Sequence, residues 1–147
     1  MSRPGASSTW AGLPRTLGLL AAGVFVTTLI ELLAAKHYGE AFQLIPFVVT
    51  AICLVMTVVG WFRTSPRMIT TVKWLMGLTA IASALGMYFH VKANIAFVTD
   101  FHPDASFADI ARGAFNGRDP ILAPGILLLG AILGYLAVAT RNDVDAV

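Results

Sequence analysis

Four long apolar segments restrict this chain to few architectures. They cover residues 16–35, 41–62, 74–98 and 121–140 of the 147 in the chain. A helix needs about 20 mostly apolar residues to cross roughly 30 Å of hydrocarbon, and each segment is long enough. Only 12% of the residues are charged, against about 25% in ordinary soluble domains. The sequence therefore predicts one all-α integral membrane domain, a four-helix bundle with up-down-up-down topology.

The connections between these segments differ in length. About five residues join the first two spans, so those helices are expected to be antiparallel neighbours. The connection between the third and fourth spans is longer and has apolar residues at helical spacing, with Ser106 and Asp109 as start signals. We predict a short amphipathic helix over residues 105–116, resting on the membrane surface or covering the end of the bundle. Its apolar face is formed by Phe107, Ile110, Ala111 and Phe115.

The basic residues predict an orientation in the membrane. If the spans alternate, six Lys and Arg residues fall on one side and four on the other. The side richer in basic residues is normally cytoplasmic, and tryptophan favours the membrane boundary. Trp10, Trp61 and Trp74 all lie at the boundary on the basic side. Both termini are therefore predicted to be cytoplasmic.

Charge and cysteine content exclude two classes of function. Ten Lys and Arg against eight Asp and Glu, with no basic run, leave no electrostatic footprint for nucleic acid. The chain has one cysteine, Cys53, so it cannot form an intrachain disulfide or a dithiol redox pair. Nucleic-acid binding and dithiol chemistry are not expected.

Polar side chains collect near the predicted extracytoplasmic end of the bundle. Glu31 lies about five residues, or roughly 7 to 8 Å, inside the membrane boundary. An ionisable group at that depth is a functional-site hypothesis by default, although it can also reach the headgroups or hold helices together. We predict a cluster that binds a ligand or a partner, with Glu31 facing His90 or Gln43. Its members are Glu31, His37, Gln43, His90 and Asn94.

The cluster contains candidate ligands for a metal or a haem. Glu31, His37 and His90 offer one carboxylate and two imidazoles, and His37 with His90 could ligate a haem. On a continuous helix, however, Glu31 and His37 lie about 120° and ~9 Å apart. The three residues are therefore weak candidates for metal ligands, and the cofactor stays open.

The sequence lacks a complete catalytic arrangement. Ser83 and His90 share a helix face, but about 10 to 11 Å separates them along the axis. A nucleophile and its base must lie about 3 Å apart, which excludes this dyad. The sequence therefore favours a function without catalysis, and it does not decide the question.

A series of short motifs extends over nearly the whole chain, and the run FQLIP at 42–46 is the most distinctive of them. The other positions are Glu31, His37, Tyr38, His90, Asn94 and the run LAPG at 122–125. In this order the motifs resemble one group of small four-span bacterial membrane proteins. The resemblance implies the bacterial inner membrane and the same four-span plan, and it supplies no substrate, cofactor or catalytic residue.

Two classes of function remain. The first is a non-catalytic accessory or structural subunit of a larger membrane complex, favoured by the small size of the chain. The second is a binding or transport protein whose polar cluster holds a cation, a metal, a quinone-like molecule or another small ligand. The expected partners are the lipid bilayer and other membrane proteins. The first class is preferred.

Overall fold

The described part of the chain is mostly helical. A computed structural model describes residues 12–36, 38–39, 41–62, 65–117 and 121–145. Within these ranges there are five α-helices, one 3₁₀ turn and no strand. The helices are α1 Leu13–Ala34, α2 Leu44–Phe62, α3 Pro66–Phe101, α4 Phe107–Asn116 and α5 Leu122–Asp145, and the 3₁₀ turn is Ala41–Gln43.

Four helices are long and apolar enough to cross a membrane. Three of them lie close to the predicted spans, but α3 begins eight residues before the predicted position 74 and ends three residues after 98. The hydroxyl of Ser65 accepts a hydrogen bond from the amide of Met68 at 3.3 Å, and Pro66 follows as the first helical residue. A capping serine followed by proline is a strong helix start. Local capping thus extends α3 beyond the apolar stretch that hydropathy detects.

The last helix, α5, occupies the space between α1 and α3. It packs along both of them, whereas α1 and α3 have little direct contact. Helix α2 packs on α1 and less extensively on α3. The buried core therefore draws on all four long helices. Its members are Ala21, Phe25, Cys53, Val72, Met76, Leu127, Ala131 and Val138.

Two glycines of α5 bring it close to its neighbours. A Cβ atom on Gly130 would lie 2.8 Å from Cε1 of Phe25 and 2.9 Å from Cγ1 of Val24, both on α1. A Cβ atom on Gly134 would lie 2.9 Å from Sδ of Met76 on α3. Small residues at four-residue spacing allow helix backbones to approach closely. This GxxxG pair contacts two different helices of its own chain.

Replacing Gly130 by alanine is expected to destabilise the bundle, because the added methyl group overlaps two stiff apolar side chains. Overpacking of this kind costs about 1 to 3 kcal/mol. The matched control is Gly77→Ala, since a Cβ at Gly77 meets nothing within 4 Å and alanine favours helix over glycine. Thermal unfolding in detergent should show a lower midpoint for Gly130→Ala only. Equal midpoints for the two variants would contradict this packing.

Candidate functional site

One face of α3 carries polar residues that lie towards the other helices. Ser83 and Asn94 are both buried, with relative exposures of 4% and 1%. Met87 and His90, which lie between them on the same face, are half-buried. Helical spacing in the sequence places these four residues on one face, and Phe97, at the next position of that face, is exposed.

Asn94 is occupied in holding α4 against α3. Its side-chain Nδ2 donates a hydrogen bond to the carbonyl oxygen of Ala114 at 3.2 Å, and both residues are buried. Gly113 in α4 and Gly117 just after it permit this contact. A Cβ on Gly113 would overlap Val98, and a Cβ on Gly117 would overlap the Asn94 amide. Asn94 is therefore a bracing residue between two helices.

Helix α4 contacts α3 through its small residues. Ala114 is buried and Ile110 is half-buried, whereas Phe107 is 86% exposed and Phe115 is 70% exposed. The helix lies within the predicted range 105–116. Of the two placements predicted for its apolar face, the exposed phenylalanines do not fit a cover over the end of the bundle, and contact with the membrane surface stays a prediction. The physical reason is close approach: the glycine edge of α4 can reach α3, and the bulky phenylalanine edge is turned away.

The start of α4 is fixed by a reciprocal cap. The amide of Asp109 donates to the hydroxyl of Ser106, whose own amide and hydroxyl donate to the Asp109 carboxylate at 3.3 and 2.6 Å. These bonds from Ser106 hold the pKa of the Asp109 carboxyl below its usual range. When Asp109 is ionised, its carboxylate can accept both hydrogen bonds from Ser106 and complete the cap.

Glu31 and His90 lie near the same end of the bundle without meeting. Among the residues described, no ion pair or hydrogen bond joins their side chains, and α5 separates the two helices that carry them. Phe25 of α1 lies against Gly130 of α5, and Glu31 is six residues beyond Phe25. Pro124 is six residues before Gly130, and it lies near Gly86 of α3. Glu31 therefore lies near the level of Gly86.

This register also separates Glu31 from Asn94. Asn94 is eight residues beyond Gly86, or about 12 Å further along α3 at the helical rise. Two members of the predicted cluster are thus at different heights on different helices. The sequence could not show this, because the relative height of two helices depends on how their side chains interlock.

Gln43 lies at the connection between α1 and α2. Its side-chain Oε1 accepts a hydrogen bond from the amide of Gly39 at 2.8 Å. The preceding chain leaves α1 through Lys36, which has φ of 51°. This left-handed conformation ends many helices and normally favours glycine. Gln43 thus helps to close a tight connection.

The metal hypothesis receives no geometric support within the described ranges. Those ranges contain no group of three or more His, Cys, Asp or Glu side chains that could hold a metal ion. His37 lies outside the described residues, so its place relative to Glu31 and His90 is not assigned.

A layer of buried hydroxyl groups crosses the bundle interior, which the sequence analysis did not identify. Cys53 Sγ on α2 and Thr79 Oγ1 on α3 lie 3.3 Å apart. Thr50 lies one turn before Cys53 on α2, and Ser83 lies one turn after Thr79 on α3. The buried hydroxyls of Thr50 and Ser83 have no hydrogen-bond partner among the described residues. Both can still donate to or accept from a small polar group.

The signal for α4 docking was present in the sequence as a second GxxxG pattern, at Gly113 and Gly117. Gly117 also caps the end of α4. The signal for the hydroxyl layer was weaker, because a threonine inside an apolar helix usually bonds to its own backbone. Thr28 does so, donating to the carbonyl oxygen of Val24 at 2.9 Å.

No protein family, curated protein or solved structure matches this chain.

Replacing Asn94 by leucine should release α4 from α3, because the buried carbonyl of Ala114 loses its donor. An unsatisfied buried group costs about 1 to 3 kcal/mol. Hydrogen exchange should become faster in Phe107–Asn116 and stay unchanged in α1. The control is Lys92→Ala, an exposed position on the same helix. Unchanged protection of α4 in Asn94→Leu would show that Asn94 is not a brace.

Proposed function

We propose that this chain is a non-catalytic, multi-pass membrane protein that serves as an accessory or structural subunit of a larger membrane complex. The observation that carries this proposal is the role of Asn94. It is the most deeply buried described member of the predicted ligand cluster, and its amide holds one helix against another. A side chain engaged in this way contributes to shape and is poorly placed to bind a substrate.

Other polar contacts inside the bundle also join helix to helix. Arg141 of α5 donates from Nη1 to the carbonyl oxygen of Gly60 in α2 at 2.9 Å. Cys53 and Thr79 link α2 to α3. Interhelical hydrogen bonds of this type stabilise helix packing in membranes. These contacts support a structural role for the polar groups concerned.

The surface of the bundle supports a lipid environment. Large apolar side chains are exposed on all four long helices, including Ile30 at 60%, Val48 at 56%, Ile81 at 60% and Leu129 at 50%. Soluble monomers rarely expose apolar surface so widely. We place the bundle across a bilayer, and the sequence resemblance favours the bacterial inner membrane.

The contacts favour the up-down-up-down arrangement. Gly18 lies near Ala137 and Phe25 lies against Gly130, so contacts run in opposite directions along α1 and α5. The α2 and α3 pair has the same order, with Gly60 near Val72 and Cys53 near Thr79. Neighbouring helices that alternate in direction return the chain to the same side of the membrane after four spans.

The charged residues of α3 suggest which part of this long helix is in lipid. Lys73 and Lys92 are 19 residues apart, or about 28 Å along the axis. This length matches a hydrocarbon core of roughly 30 Å. We therefore place the last turns of α3, together with α4, beyond the hydrocarbon on the extracytoplasmic side.

Reporter fusions test this orientation. Alkaline phosphatase fused after Asn116 should be active, because that position is proposed to be extracytoplasmic. The same reporter fused after Val147 should be inactive, because the C-terminus is proposed to be cytoplasmic, as the basic-residue asymmetry favours. The opposite pattern would invert the orientation.

Purification from the native membrane tests the accessory role. A tagged chain extracted in mild detergent should retain larger membrane subunits at constant stoichiometry through size exclusion. The side chain of Glu31 is half-buried and forms no hydrogen bond or ion pair with the described residues. The variant Glu31→Leu should therefore lower recovery of the partner. Lys92→Ala is the control and should retain it.

The same preparation distinguishes the second class of function. Glu31 and His90 are both half-buried and unpaired among the described side chains, which leaves them open to a ligand as well as to a partner. A chain that purifies alone as a homo-oligomer, with metal or pigment found by elemental and optical analysis, would contradict the accessory role. It would favour a binding or transport protein.

A further inference from the structure

A cavity lies at the end of the bundle opposite the predicted polar cluster. It has a volume of about 280 Å³ and opens where α1 begins and where α2 and α5 end. Its walls include Gly18, Gly60 and Gly134, one glycine from each of these three helices. The volume is slightly below the ~300 to 1,000 Å³ range of small-molecule sites. It suits a headgroup-sized molecule.

Two of the glycines help to keep this space open. A Cβ on Gly18 would meet only Ala137, at 3.9 Å, and a Cβ on Gly60 would meet only Val72, at 3.8 Å. Neither position is closed by packing. This part of the wall is therefore formed by backbone and short apolar side chains, a surface suited to the glycerol and first methylene groups of an amphiphile.

Two arginines are placed at this cavity. Arg15 is exposed, and Arg141 is held in place because its Nη1 donates to the carbonyl oxygen of Gly60. That bond uses one of the five N–H donors of the Arg141 guanidinium. Among the described residues that line the cavity there is no Asp or Glu. The described lining therefore carries two positive charges and no carboxylate.

Trp61 adds a third feature. Its indole lines the same cavity and is half-buried. Tryptophan favours the level of the lipid headgroups because its ring is apolar and its N–H is a donor. The cavity thus combines an apolar floor, an interfacial aromatic ring and guanidinium groups, which bind phosphate through paired donors.

We propose that this cavity binds the phosphate of an anionic phospholipid, with Arg15 and Arg141 on the phosphate and the glycerol region against the glycine-lined wall. Basic pockets between membrane helices on the cytoplasmic side commonly bind such headgroups. The inference rests on the proposed membrane placement and orientation, and it is independent of the accessory role. A bound lipid would fill the space between the ends of α1, α2 and α5.

Native mass spectrometry of the full chain in neutral detergent tests the assignment. Phosphatidylglycerol should bind at one molecule per chain, at least tenfold more tightly than phosphatidylcholine with the same acyl chains. Phosphatidylglycerol should also raise the unfolding temperature, because a ligand that binds only the folded state stabilises it. Sodium phosphate without lipid is the second arm and should give a much smaller shift.

Charge-removing variants locate the site. The double variant Arg15→Gln with Arg141→Gln should weaken phosphatidylglycerol binding at least tenfold. Because Arg141 also holds α2, the single variant Arg15→Gln is included, and its exposed side chain has no described bond to lose. It should weaken binding about threefold or more. The matched control is Arg67→Gln with Lys73→Gln, which removes equal charge outside the cavity lining.

Three results would overturn the proposal. They are equal binding of the two lipids, unchanged phosphatidylglycerol binding in both cavity variants, and a thermal shift from sodium phosphate as large as that from phosphatidylglycerol. Extraction of the protein by detergent but not by alkaline carbonate tests membrane integration separately. Failed lipid binding by a protein that meets this criterion counts against the cavity assignment alone.

Discussion

The close approach of α5 to both α1 and α3 is the contact on which the rest of the bundle depends. Because Gly130 and Gly134 have no side chains, α5 can lie between α1 and α3 in close contact with both. In lipid, helix association depends on such packing, because the hydrophobic effect does not drive apolar helices together there. This arrangement has a direct consequence for the polar residues. Glu31 lies on α1 and His90 lies on α3, and α5 separates these two helices. The two residues are close in a topology diagram, but they are not in contact in the structure.

The four long helices could be predicted because apolar length is a property of the sequence alone. The extent of α3 could not be predicted from the same signal. Lys73 and Lys92 interrupt its hydropathy, but lysine is a good helix former, so the helix continues through both positions. Membrane span and helix length are separate quantities, and hydropathy measures only the first.

The candidate site was harder to predict than the fold. The inward face of α3 follows from helical periodicity, and the burial of Ser83 and Asn94 agrees with it. The partner of Asn94 does not follow, because it is a backbone carbonyl on α4, twenty residues further along the chain. Its position depends on close contacts at Gly113 and Gly117. A sequence pattern identifies the face of a helix, whereas a partner is determined by packing in three dimensions.

In the proposed membrane placement, the unequal lengths of the helices have a consequence for the bilayer. Helix α2 has 19 residues and α3 has 36. At 1.5 Å per residue they extend about 28 and 54 Å. A bilayer thicker than α2 would leave the ends of this helix in hydrocarbon, while α3 would still reach water on both sides. Hydrophobic mismatch costs a fraction of a kcal/mol per Å. The shortest of the four long helices therefore limits the membrane thickness that the bundle tolerates, and thickening the bilayer would strain α2 and its tight connection to α1 first.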